Sequence, residues 1–182
     1  VLGFYFLVLF LERNGDGPVY GSLVPELIGF CLEGFFLIGL FSLIQNRRER
    51  ERKEELCMSL RGSLRELLSH IDIALLGEYA EPADSKILEE DPKAVANLIF
   101  KLADNPMDVD AMARLKSVAA RNLTTIHDLI PVAAQLSADH IRWWLAITDS
   151  VRLLSEATDS ASVGAGLHRF LANLGEFDQL TL

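Results

Sequence analysis

Hydrophobic and polar positions divide the chain into two regimes. Residues 1–44 are apolar almost throughout, broken by the polar run ERNGDGPVYGS over residues 12–22. The longer apolar stretch, LVPELIGFCLEGFFLIGLFSLI over residues 23–44, would form roughly 33 Å of helix, enough to cross a bilayer. The earlier stretch, VLGFYFLVLFL, ends at Glu12 and spans only about 16 Å as helix. It opens on valine and shows neither a basic segment nor a small-residue cleavage site. The expected reading is therefore a first transmembrane helix that lacks its opening residues. Glycines and Pro18 between the stretches mark a turn. Tyr20 suits the membrane interface, Ser22 is a candidate helix cap, and Pro25 fits the first turn of the second helix. The pattern predicts a tight transmembrane hairpin.

Past Ile44 the periodicity changes. QNRRERERKEE, residues 45–55, is rich in helix formers, and no proline occurs between Pro25 and Pro82. The second membrane helix is thus expected to continue to about residue 78, around 80 Å in all, with Gly62 as its weak point. Leu56, Leu60, Leu64, Leu67, Ile71 and Leu75 recur at three and four, forming one apolar stripe. Such a stripe either packs against later helices or self-associates.

Beyond Pro82 the pattern predicts short helices. Asp91 or Ser85 caps one that reaches about residue 103, where Asn105-Pro106 breaks it. Another covers about residues 108–136, interrupted at Pro131. Ser137 caps the next, roughly residues 138–157. TDSASVGAG reads as a loop, and VGAGLHRFLANLGEFDQL as the last helix. No strand-like alternation persists. The expected fold class is all-α: a transmembrane hairpin over residues 1–44, a juxtamembrane and cytoplasmic extension over 45–81, and a cytoplasmic helical bundle over 82–182.

Charge fixes the expected orientation. Arg47, Arg48, Arg50, Arg52 and Lys53 follow the apolar stretch directly, whereas the short loop carries only Arg13. Lysine and arginine collect on the cytoplasmic side, so residues 45–182 are expected there, in a multi-pass protein of a bacterial inner membrane. Those five cations are candidate lipid-headgroup anchors; interleaved acids make the run a poor nucleic-acid patch. The formal net charge is -9, and residues 56–182 hold 11 Lys/Arg against 18 Asp/Glu. Direct nucleic-acid binding is not expected from such a surface. Cys31 and Cys57 would lie roughly 39 Å apart on one helix, outside disulfide reach, and read as free thiols in a reducing compartment.

Within the membrane stretch Glu33 stands out. A carboxylate near the bilayer centre needs another helix, a polar cavity or a proton. At a helical 100° per residue, Ser22, Glu26, Gly29, Leu37, Leu40 and Ile44 fall within about 40° of it. This face is polar toward the outside at Ser22, Glu26, Gly29 and Glu33, and apolar toward the cytoplasm at Leu37, Leu40 and Ile44. The gradient suits a vestibule narrowing to a hydrophobic gate; it also suits a helix interface with one buried protonated acid.

The rest offers little catalytic chemistry. His70, His127, His140 and His168 lack metal-ligand spacing, and His127-Asp128 is an isolated dipeptide. There is no nucleophile elbow, phosphate loop or dinucleotide fingerprint, and no cofactor is expected. Trp143 and Trp144 are adjacent on a helix and cannot both enter one core, so one is a candidate partner contact.

With LIGFCLEGFFLIGLFSLI and NRRERERKEE in place, the architecture resembles the two-transmembrane effectors of bacterial phage-defence systems. That resemblance implies a protein that permeabilises the inner membrane once a cytoplasmic sensor releases it, and it transfers no residue role. The expected function is non-enzymatic: a membrane protein that forms homo-oligomers or binds a cytoplasmic protein partner and gates a pore or disrupts the inner membrane, as a defence effector would. The alternative is a passive membrane-anchored adaptor or assembly subunit.

Overall fold

The computed structural model describes residues 18–76, 81–104 and 107–181. Among them every regular element is an α-helix, and the chain divides between Glu49 and Arg50 into two units. The expected first membrane helix, and residues 12–17 of the expected connection, lie outside the described residues.

Helix α1 spans Pro18–Ser63. It starts earlier than the sequence pattern predicts. Pro18, not Pro25, takes the first helical position, where a missing N–H leaves no bond unmade. Ser22 and Pro25 consequently fall inside the element rather than at its start. Over residues 28–44 α1 presents apolar side chains all round its axis, with Glu33 among them. Phe30, Phe35 and Phe36, distributed round the axis, are 75%, 81% and 70% exposed. A soluble helix would instead show one core-facing stripe.

The stripe appears in the second unit, residues 50–182. Leu60, Leu64, Leu67, Leu68, Ile71 and Leu75 are buried, and Leu56 packs against them. Their partners include Leu88, Leu115, Val118 and Leu171, so the stripe is core and not a self-association surface. The expected unbroken helix is interrupted at Leu64, close to Gly62. Ser63 Oγ donates to the Leu60 carbonyl at 2.6 Å, a local bond that competes with the helical ladder. The Leu64 N–H closes on Arg61 at 3.0 Å, and α2, Arg65–Ala74, restarts beyond it.

The helix expected before Asn105 is α4 (Pro92–Asp104), with Asp91 rather than Ser85 ahead of it, and a further short helix, α3 (Ser85–Glu90), precedes it. Proline pushes its predecessor out of the helical region, and Asp91 sits at φ -103°, ψ 109°. Each piece gains an aspartate cap: Asp84 accepts from the Lys86 N–H and Asp91 from the Lys93 N–H, both at 2.9 Å. Helices α5 (Val109–Asp128) and α6 (Ile130–Ala133) separate beside Pro131, as its missing donor predicts.

Helix α7, Ala138–Glu156, is capped by Ser137. Helix α8 spans Ser160–Asp178 and opens with a reciprocal Asp159/Ser162 capping box. That box shortens the expected loop and starts the helix at Ser160, three residues ahead of the expected Val163. The α7/α8 pair is the most extensive contact, with α5 on α7, α4 on α8 and α2 on α5. Gly166 of α8 faces Leu154 of α7, where a Cβ would sit in ordinary contact 3.5 Å from the Leu154 Cα. Trp144, Phe170 and Phe177 are the bulkiest side chains in the core.

Candidate functional site

The face built around Glu33 lies on α1. Glu33, Leu37, Leu40 and Ile44 are exposed and Gly29 is half-exposed, while Ser22 and Glu26 occupy earlier turns of the same helix. Extra Cβ atoms at Gly29, Gly34 or Gly39 would meet nothing within 4 Å. This part of α1 therefore offers small and large apolar positions, plus one carboxylate, entirely to its surroundings. Among the described residues α1 alone is long and apolar enough to cross a membrane.

The cationic run divides in two. Arg47, Arg48 and Arg50 have exposed side chains. Arg52 donates to Gln135 Oε1 at 2.9 Å, and the Lys53 charge acts on His140. The two later cations therefore serve the bundle, which the charge pattern does not reveal.

Three polar clusters occupy the second unit. In the first, Arg61 pairs with Asp178, and its second terminal nitrogen donates to the carbonyls of Leu88 at 3.3 Å and Asp91 at 3.2 Å. Both partners of the ion pair are buried. Burial pushes the Asp178 carboxyl above the usual carboxylate range, against the pull of Arg61. Burial also raises the Cys57 thiol; the Asp178 charge adds to this and Arg61 opposes it. In the second cluster, buried Asp72 accepts from the Ala83 N–H and from Lys101 Nζ, both at 2.7 Å, tying α2 to the start of α3 and to α4. In the third, His140 is buried with Nδ1 2.7 Å from Ser137 Oγ, while Nε2 has no hydrogen-bond partner.

The other histidines differ. His70 is half-buried; His127 and His168 are exposed, the former 3.8 Å from Asp128. Among the described residues no group of three or more His, Cys, Asp or Glu is arranged to hold a metal ion. The tryptophans separate as adjacency requires. Trp144 is fully buried and its Nε1–H donates to the Ile126 carbonyl at 3.0 Å. Trp143 is half-buried, with the Arg142 guanidinium 5.4 Å from its ring centre.

Sequence reasoning singles out the Glu33 face but misses Arg61, Asp72 and His140. Only His140 carries a local signal: it stands three residues after the Ser137 cap, where ring and hydroxyl can meet. Among the described residues the fold and these sites define an all-helical protein with one candidate membrane helix and a helical bundle. No protein-family model, curated protein or solved structure matches the chain.

Proposed function

We propose that this chain is a non-enzymatic, multi-pass protein of a bacterial inner membrane that oligomerises through the Glu33 face and gates a pore. Residues 45–182 lie in the cytoplasm, where the acidic bundle meets a protein partner that controls opening. This is the role suggested by the two-transmembrane phage-defence effectors.

The observation that carries the reading is the exposed apolar stretch of α1 over residues 28–44 with Glu33 within it. In water such a surface is unfavourable; in a bilayer the aliphatic and aromatic positions are satisfied and only the carboxylate is costly. Several copies round an axis would place Glu33 carboxyls in a shared polar cavity and Leu37, Leu40 and Ile44 at its cytoplasmic end. Arg47, Arg48 and Arg50 follow where anionic headgroups begin.

Replacing Glu33 by Gln and by Ala tests this. In liposomes both variants are expected to insert, to change ion permeability, and to change oligomer size in detergent. Unaltered permeability and size in an inserted, folded protein would remove both the pore and the interface. A monomer holding one stoichiometric protein partner would favour the adaptor role.

A further inference from the structure

Of the four histidines only His140 is buried; α7 carries it, α8 reaches it through Phe177, and α1 acts on it through the Lys53 charge. From the start of α7, Ser137 Oγ lies 2.7 Å from Nδ1 and also accepts the His140 backbone N–H at 3.2 Å. Asp139, the preceding residue, is exposed and favours a charged ring. From the end of α8, Phe177 meets the imidazole edge-on, with ring centres 5.5 Å apart at 89°. Asp178 follows Phe177, and its carboxylate is engaged by Arg61. From α1, Lys53 sets a positive charge against the ring, and neighbouring Arg52 donates to Gln135 at 2.9 Å.

The two ring nitrogens are thus unequal. Nδ1 is satisfied by Ser137, but Nε2 is buried without a partner. A neutral ring leaves one nitrogen unpaired against apolar neighbours. A protonated ring would leave a charged donor unpaired in the same place, opposed by Lys53. The site tolerates the first and penalises the second.

We propose that His140 is a proton-operated latch. Neutral, it seats the first turn of α7 against residues 52–57 of α1 and the end of α8; on taking up a proton it leaves that seat and loosens the contact. Desolvation, then Lys53, lowers the proton affinity of the seated ring, and Asp139 acts in the opposite direction. A released ring titrates near the ordinary histidine value of about 6.5. Between the two values the released form binds more protons. The seated form therefore keeps its full stability above about pH 6.5 and loses it as pH falls toward the seated value. The latch stands whether or not the Glu33 face forms a pore.

Amide hydrogen exchange on the full chain in lipid nanodiscs tests the latch, with rates corrected against an unstructured reference peptide. Between about pH 7.5 and about pH 5.5, protection of residues 52–57 and 138–144 is expected to fall about ten-fold, while residues 167–174 hold theirs. His140→Phe keeps an aromatic edge against Phe177 but cannot take up a proton, and should abolish the pH dependence. Ring titration of the wild-type protein by NMR supplies a second readout. His140 is expected to titrate below the ordinary histidine value of about 6.5, with its midpoint matching the loss of protection. Protection independent of pH, an undiminished response in His140→Phe, or a His140 midpoint at or above the ordinary histidine value of about 6.5 would overturn the proposal. If His140→Phe does not fold, agreement or disagreement of the two wild-type midpoints decides.

Discussion

Arg61 looks in sequence like one more cation on a helix that already carries several. Its carboxylate partner is 117 positions away, and its carbonyl partners lie at the end of α3 and just before α4. No local pattern announces such a group; only the tertiary fold does. Removing one partner of a buried pair strands the other charge, whereas removing both is often nearly neutral. Asp178→Asn is therefore expected to cost about 3–5 kcal/mol in urea unfolding of the bundle, and Arg61→Met combined with Asp178→Leu far less. Equal losses in the single and double variants would show that packing, not charge, ties α1 to α8. Glu33 presents the reverse case. It is legible without any fold, because the cost of a carboxylate among apolar helix positions depends on its immediate surroundings alone.

Helix boundaries follow a similar division. Breaks written in local chemistry were readable: Pro131 separates α5 from α6, and Ser137 opens α7. Breaks set by competing signals were harder to see. Asp91 and Ser85 compete as caps and each precedes or opens a helix, while the Asp159/Ser162 box starts α8 inside a segment that reads as a loop. Gly166 gives this a measurable side. An added methyl would sit at ordinary van der Waals distance from Leu154, 3.5 Å from its Cα. Alanine also loses less backbone freedom on entering a helix. Gly166→Ala should accordingly be neutral or stabilise the bundle by up to about 1 kcal/mol in thermal melts.

For the molecule as a whole, fold class was readable and arrangement was not. Helical periodicity and the absence of strand alternation establish an all-α chain, but which stripe packs on which depends on residues far apart in sequence. The division between Glu49 and Arg50 has a direct consequence: residues 50–182 contain the connected core and its polar ties. Expressed alone, they are expected to give a soluble helical protein with one cooperative unfolding transition, while the full chain partitions into membranes. Aggregation of residues 50–182 would show that their stability depends on the preceding segment. The bundle also carries its own optical reporter. Its two indoles occupy different surroundings, Trp144 sealed in the core and bonded to the end of α5, Trp143 half-open beneath Arg142. They are the only tryptophans in the sequence. A polar quencher should therefore reach one emitter and spare the other, so that loosening of the core can be followed by fluorescence without any attached dye.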